Sequence, residues 1–487
     1  MKLEPDYIDT IKNLFQEHFD SQPELIQNIP QSGSDRVYSR MATYEKKAVV
    51  AFSNHIQENN TYLYFTEIFR KHKLPVPEIY QKGQNNKYYL MQDVGQQSLL
   101  DFLLKEGKTE TVKDVFEKVV EDLSQFQWIA GNDLDYSKCF HQQSFDKYTI
   151  LSDLNYFKYY FADILKIDYD KKVLQDEFEQ WSGQLAGEGI KTFMYRDFQS
   201  RNIILNEENK PHYIDFQGGM YGLPHYDLAS LLWQAKAQLP ANWKADLLEH
   251  YLKTIKKAKN IADIDEIHFK RTYLECVLLR ILQTLGAYGN RGLIERKQHF
   301  ISSIHPALIQ LKEYLEEYAV LIRYPELLKV LEALVQPTLI EKFFKPQQDH
   351  THPIKIEIYS FSYKKGLPAD ETEHGGGFVF DCRGILNPGR FEPYKKLTGK
   401  DFPVQEFLLT QTLMSEFLQN VFATIDISID NYLNRKFDRL SISFGCTGGQ
   451  HRSVFAAEQT KKHLKEVYNI DATLLHLEQE ANNKKRR

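Results

Sequence analysis

FMYRDFQSRNIIL, residues 193–205, sets a short polar loop between two apolar runs, with an aspartate and an asparagine five positions apart. Phosphoryl transfer asks for that combination: a carboxylate to orient or deprotonate an acceptor hydroxyl, and hard oxygen ligands to hold Mg²⁺ against nucleotide phosphates. Asp197 is spaced to be the base and Asn202 to be a metal ligand. Downstream, Asp215 in Ile214-Asp215-Phe216 offers a second metal ligand, and Asp227 follows at the start of a helical run, HYDLASLLW. The plainer alternative is that these groups cap turns and end strands. A D-x4-N spacing is common by chance, but four polar positions in this order, on a loop, strand, turn and strand, favour the chemical reading.

Working outward, residues 7–19 have helical apolar spacing, and QSGSDRVYSRM and KKAVVAF read as strands joined by tight turns. NTYLYFTEIFRKHKL is helical until the prolines of PVPEIY, and KYYLMQDVG is another strand. From about Leu99 to Leu185 and again over 225–335 the pattern is mainly helical. A strand-rich lobe of about residues 1–95 thus precedes a helical lobe of 96–335. The segment 336–353, QPTLIEKFFKPQQDHTHP, reads as a linker, with proline at both ends and a polar middle. Beyond it, residues 354–487 alternate β-branched or aromatic runs with helices, the pattern of a separate α/β domain.

The bulk numbers agree with a multidomain globular chain: 487 residues, 42% hydrophobic and 26% charged. A formal net charge of -5 argues against a chain dominated by nucleic-acid binding. The N-terminus shows no secretory pattern, and no run reaches the ~18 apolar residues of a spanning helix. Four scattered cysteines without CxxC spacing suit a reducing compartment, so a cytoplasmic location is expected.

A second constellation lies in RLSISFGCTGGQHRSVFAAEQ, which runs strand, glycine-bearing loop, helix. Gly445, Gly448 and Gly449 let backbone N–H groups converge, and Arg452 and Ser453 sit where a helix dipole favours anions. The loop is not a Walker A sequence. It does fit Cys-x5-Arg-Ser, the arrangement of cysteine phosphatases, with Cys446 as thiolate nucleophile and Arg452 as phosphoryl holder. An inert buried thiol and a ligand-free tight turn are the plainer readings.

MYRDFQSRNIIL together with HYIDFQGGMYGLPHYDLASLLW resembles the aminoglycoside phosphotransferase/choline kinase family over about residues 1–335. SGSDRVYSR, FDKYTILSDLNYFKYYF and LLRILQTLGAYGNRG are similar to the anomeric kinases of N-acetylmuramate and N-acetylglucosamine in cell-wall sugar recycling. The resemblance implies an α+β, protein-kinase-like bilobal domain using ATP and Mg²⁺. It makes Asp197 the catalytic base, Asn202 and Asp215 the metal ligands, and Tyr195 and Asp227 supports of the loop. Ser32, Gly33, Ser34, Asp35 and Arg36 would form the turn over the ATP phosphates, and Gln92 to Val94 would meet the adenine. Three departures stand out: Tyr195 replaces the usual histidine, KKAVVAF ends without the usual lysine, and Tyr62 and Tyr64 occupy the helix that commonly carries its glutamate partner. Both partners of that ion pair read as lost together.

SFSYKKGLP, FVFDCRGILNPGRFEPYKKLTGKD and SFGCTGGQHRSVFAAEQ, within about residues 354–480, resemble the C-terminal domain of the RNase adapter protein family, which senses an amino-sugar phosphate and binds small RNA. That resemblance implies a phosphosugar site of Cys446, Thr447, Gly448, Gly449, His451, Arg452 and Ser453, with Asp381 and Arg383. Gly389-Arg390 after Asn387-Pro388 departs from the aromatic or histidine residues expected there. No continuous basic stripe supports RNA as a partner. The expectation is an amino-sugar kinase joined to a phosphosugar sensor that adjusts it. A sugar-sensing regulatory protein without catalysis, or a cysteine phosphatase, are the alternatives.

Overall fold

The computed structural model describes residues 7–29, 36–257, 264–344, 354–369 and 377–479. They fall into two compact units, one ending at Phe344 and the other comprising the residues after it.

In the first unit, a five-stranded antiparallel sheet orders Leu25–Ile29, Val37–Ala42, Lys47–Phe52, Tyr88–Gln92 and Ile79–Lys82 side by side. Val37, Ser39 and Met41 alternate inward, as a strand with one packed face must. Helix Tyr7–Phe19 buries Tyr7, Ile11, Leu14 and Phe15, one stripe of a 3.6-residue period. Helix Ile56–Lys71 buries Tyr62, Leu63, Phe65 and Phe69.

The remainder of this unit is mainly helical, with two small antiparallel sheets inserted. One joins Thr192–Met194 to Met220–Gly222, and the other joins Gln97–Ser98, Ile203–Leu205 and Pro211–Tyr213. Helix Leu99–Glu106 starts at a capping box, with Ser98 Oγ accepting from the Asp101 N–H and Asp101 returning the bond to the Ser98 N–H. Helix Pro224–Leu232 is buried along its whole length, so its one acid, Asp227, lies inside the core. Two helices pass through π-helical turns, at Lys158–Ala162 and Gly289–Ile294, which face each other. A side chain at Gly289 would overlap the Tyr160 carbonyl, so glycine sets how closely these turns approach.

The expected linker departs from the sequence reading at its start. Pro337–Phe343 is a helix with Ile340 and Phe343 buried, because proline at the first helical position and apolar residues three apart both favour it. Residues 345–353 lie outside the described residues.

The second unit is a four-stranded, wholly parallel sheet ordered Phe378–Asp381, Arg439–Cys446, Lys355–Ser362 and Thr473–His476. Helices Phe402–Thr410, Met414–Asn434 and Arg452–Tyr468 complete it. Its own core includes Ile356, Ile358, Ile442, Phe444, Phe455 and Leu464. This is the α/β architecture expected from the sequence. None of the described helices is long and apolar enough to cross a membrane.

The glycine crossing gives a direct test. Gly289→Ala should lower unfolding free energy by about 1–3 kcal/mol, the range for overpacking. Gly183→Ala, in a helix where a methyl group meets only the tip of Lys147, should raise it by about 0.5–1 kcal/mol. Urea unfolding of the two variants against the parent checks both signs.

Candidate active site and anion loop

The loop Tyr195–Asn202 hangs between the strands Thr192–Met194 and Ile203–Leu205, and its shape is set by a buried carboxylate. Asp227 Oδ2 accepts from the Tyr195 N–H at 2.7 Å and Oδ1 from the Arg196 N–H at 2.9 Å. Gln127 Nε2 donates to the same Oδ2 at 3.0 Å and is itself fixed by Tyr251 Oη. Burial pushes the Asp227 carboxyl up to about 7, against the pull of these donors. Arg196 adopts φ 79°, a conformation that costs a non-glycine residue about 1–3 kcal/mol. Its guanidinium is tied to Asp153 Oδ1 at 2.7 Å and lies over the rings of Phe145 and Tyr226. Tyr195, in the position where a histidine was expected, donates from Oη to the Ile214 carbonyl at 2.7 Å, linking the loop to the residue before Asp215.

Asp197 projects from this frame with its side chain 43% exposed. Burial of its surroundings works to raise its pKa, but Arg280, Arg201 and Arg196 outweigh that and hold it below the usual carboxylate range. Arg280 Nη2 reaches Asp197 Oδ1 at 3.1 Å from helix Glu266–Tyr288, and the arginine is otherwise buried. The carboxylate is therefore a fixed, ionised hydrogen-bond acceptor open to an incoming hydroxyl.

Asn202 Nδ2 donates to the Asp197 carbonyl at 2.9 Å and to Asp215 Oδ2 at 3.3 Å, which leaves its amide oxygen available to a cation. Asp215 has φ 69° and accepts from Gln217 Nε2 at 2.9 Å. Burial and the neighbouring Asp197 charge raise the Asp215 carboxyl. A carboxylate disfavoured in this way, with an adjacent amide oxygen, fits a hard dication that would relieve both effects. The buried Gln217 Oε1 accepts no hydrogen bond among the described residues, a further oxygen at the same place. No cluster of three His, Cys, Asp or Glu with metal-binding geometry occurs among the described residues. A cation here would complete its shell with phosphate and water, as Mg²⁺ does at nucleotide sites.

The sequence lacks the usual lysine–glutamate pair here, and a different pair occupies this region. Arg36 Nη2 meets Glu58 Oε1 at 3.1 Å, one helical turn before Tyr62, and Asn59 Oδ1 at 3.2 Å. Gln217 Nε2 bridges Glu58 Oε1 at 3.3 Å and Asp215, so the pair is connected to the candidate cation ligand. Tyr62 fills the vacated space, stacking on Phe216 with centroids 4.6 Å apart. Arg36 is 2% exposed and belongs to this buried network. Ser32, Gly33, Ser34 and Asp35 lie outside the described residues. Gln92 closes the strand Tyr88–Gln92, and Val94 follows in the connection to the helical lobe. Between them, Asp93 forms a two-bond pair with Arg40, which also donates to the Gly95 carbonyl.

In the second unit, Cys446 ends its strand and turns into the loop beneath helix Arg452–Tyr468. Cys446 Sγ accepts from the Gly449 N–H at 3.1 Å and lies 3.2 Å from Ser453 Oγ. Burial would raise the thiol, but these donors and the Arg452 charge bring it below its ordinary value. Cys139, Cys276 and Cys382 are instead pushed up by burial. Arg452 Nη1 donates to the Arg383 and Ile385 carbonyls at 3.0 and 2.6 Å, and Nη2 approaches Thr447 Oγ1 at 3.5 Å. His451 Nε2 donates to the Tyr394 carbonyl. Its ring explains Gly389, where any side chain would strike it. Gly448 is open on its Cβ side, and Gly449 sits at φ 65° against the Ser362 backbone. Asp381 and Arg383 are present at the loop but bonded to each other at 2.6 Å.

Sequence reading thus missed Glu58, Gln217 and Arg280. Only Arg280 left a signal, a lone charge inside the apolar run CVLLRILQTL that had to find a buried partner.

Comparison with known proteins follows the same division. Residues 26–262 match the phosphotransferase enzyme family, and residues 354–480 match the RapZ C-terminal domain. A nucleotide-binding protein of Caldicellulosiruptor bescii is 38% identical over 174 residues, 34% of this chain and 57% of that one. One from Ruminiclostridium cellulolyticum is 40% identical over 113 residues, 23% and 37% of the two chains. The chain thus spans little more than half the length of the first of these relatives and less of the second. Among solved structures, choline kinase LicA from Streptococcus pneumoniae aligns at a TM-score of 0.43 with 14% identity, covering 64% of this chain and 99% of LicA. The two family matches thus fall one in each unit of the fold, the phosphotransferase match in the first and the RapZ C-terminal match in the second.

Proposed function

We propose that the first unit is an ATP-dependent kinase of a sugar hydroxyl, most specifically the anomeric hydroxyl of N-acetylmuramate or N-acetylglucosamine in cell-wall sugar recycling. In the same reading the second unit binds a phosphosugar and adjusts the kinase. The observation that carries the first part is the Asp197 carboxylate, kept ionised by Arg280 and open to solvent beside the Asn202–Asp215 pair. Asp197 accepts the hydrogen bond of the acceptor hydroxyl and so points its oxygen at the phosphorus for in-line transfer. Asn202 and Asp215 would hold Mg²⁺, which when bound neutralises phosphate charge. Arg36, Glu58 and Gln217 keep Asp215 in its left-handed conformation, taking over the positioning that a lysine–glutamate pair gives other kinases. The acceptor sugar is named from the resemblance of the sequence blocks. Two of those blocks are in contact, Asn290 Nδ2 donating to Tyr156 Oη at 2.9 Å, and the second of them carries Arg280.

ATP consumption with Mg²⁺ against a panel of amino sugars, choline and aminoglycosides tests the reading. Turnover on N-acetylmuramate or N-acetylglucosamine is expected, falling at least about 100-fold in Asp197→Asn. Silence on every sugar with binding retained would shift the weight to a non-catalytic sensor. Glu58→Gln should raise KM for MgATP about tenfold, ~1.4 kcal/mol, with a smaller change in kcat. An unchanged KM would remove the Arg36–Glu58 pair from the mechanism. Titration with amino-sugar phosphates should alter kinase kinetics in the parent chain but not in Arg452→Gln; equal response in both would end the coupling idea.

A further inference from the structure

We propose that the loop Cys446–Ser453 is itself catalytic, hydrolysing activated phosphomonoesters through a phosphoryl group carried on Cys446. The inference rests on the reading that this loop binds phosphate and goes beyond it by assigning chemistry. Three independent features of the loop converge. The sulfur lies at its base, accepting from the Gly449 N–H and 3.2 Å from the Ser453 hydroxyl, neighbours that favour the thiolate. The Arg452 guanidinium is 4% exposed and anchored through Nη1 on two carbonyls, yet its buried Nε has no hydrogen-bond partner among the described residues. An unsatisfied buried N–H on a fixed guanidinium is costly unless an acceptor completes it, and a phosphoryl oxygen is a planar match for such a fork. Finally, the loop opens the 17-residue helix Arg452–Tyr468, whose N-terminal N–H groups favour developing negative charge.

The surrounding carboxylates define the substrate class. Asp381 is bonded to Arg383, and Glu478, packed against Gly449, is bonded to Lys365 at 2.5 Å. Arg383 holds the Asp381 carboxyl below its usual range, so it is no proton donor, and the Glu478 carboxylate faces its lysine partner. The leaving oxygen must therefore depart unprotonated, as its own anion, which suits aryl or acyl phosphates and disfavours cleavage of a simple alkyl ester. A phosphosugar with its phosphate on a primary hydroxyl would then sit in the loop without being consumed, as a sensed ligand should.

The steps balance without a further reactant. The thiolate attacks phosphorus, the S–P bond forms as the P–O bond to the aryl group breaks, and aryloxide leaves. Water then attacks phosphorus, the S–P bond breaks, its electron pair returns to sulfur, and phosphate is released with the water proton lost to solvent.

The test uses the full chain and p-nitrophenyl phosphate without ATP, so the kinase plays no part. The expected result is nitrophenolate release, with an acid-trapped phosphoryl group on the Cys446 peptide in mass spectrometry. Cys446→Ser should abolish both while still binding inorganic phosphate by calorimetry, which shows the loop intact. Arg452→Lys should slow release by about 100-fold or more, the loss seen when a preorganised donor to a transition-state oxyanion is removed. Phosphate binding without release or adduct would overturn the proposal and leave a binding loop. Release that persists in Cys446→Ser would overturn it as well. If inorganic phosphate does not bind at all, both this inference and the phosphosugar reading fall, and the kinase assay on amino sugars still stands by itself.

Discussion

One buried carboxylate organises the first unit. Asp227 has no exposure to solvent, and an ionisable group in that position is tolerated only where donors surround it. The donors are the backbone of Tyr195 and Arg196 and the amide of Gln127. Because two adjacent N–H groups must converge on one carboxylate, the chain between them cannot follow an ordinary strand. Arg196 is driven into the left-handed region, and the next side chain, Asp197, is turned out of the core. The position of the candidate base is thus a consequence of satisfying an acid twelve residues beyond Asp215 in the chain.

The second organising principle is separation of charge states. Asp197 and Asp215 are close enough to influence each other, and their surroundings drive them apart. Three arginines stabilise the Asp197 anion, while burial and the Asp197 charge work against the Asp215 anion. One carboxylate is thereby complete as it stands, and the other is electrostatically short of positive charge. A site of that kind distinguishes the group that meets a neutral hydroxyl from the group that meets a cation. The guanidinium of Arg280 has a double use, since it also reaches Tyr226 Oη on the helix that carries Asp227. The base and its supporting helix are consequently bound to the same cation.

The sequence showed the parts of this arrangement that are local. Asp197, Asn202, Asp215 and Asp227 stand in fixed order on short elements with clear turn residues, so their association follows from chain geometry. The parallel sheet of the second unit was legible for a similar reason: short apolar runs alternate with helical periods. Arg36 and Glu58 were not legible, because they sit 22 positions apart on different elements and meet only when the sheet packs on its helix. The absence of a lysine at the end of KKAVVAF was visible; the buried pair of Arg36, just before a strand, with Glu58, on a helix, was not. The helix Pro337–Phe343 is hidden in the sequence by the prolines and polar middle of 336–353, although its first proline is a helix-starting residue. At Gly389 a Cβ would come within 2.9 Å of the His451 ring, a tertiary contact that the sequence does not show.

The second unit uses backbone topology where the first uses buried charge. Its strands are all parallel, so the ends of Lys355–Ser362, Phe378–Asp381 and Arg439–Cys446 reach the same edge, where open α/β sheets place their ligands. Ser362 and Cys446 are register partners, and Ser362 Oγ donates to the Thr447 carbonyl at 2.7 Å. Asp381 pairs in register with Gly445, which brings the Arg383 and Ile385 carbonyls within reach of Arg452. The guanidinium is thus held by main-chain atoms of one strand end and faces a sulfur at the end of the neighbouring strand. Both anchors are backbone carbonyls, so the hold on Arg452 does not use the side chains at 383 and 385. The chemistry of the loop is therefore concentrated in Cys446, Arg452 and Ser453, and the rest of the crevice is free to select the ligand.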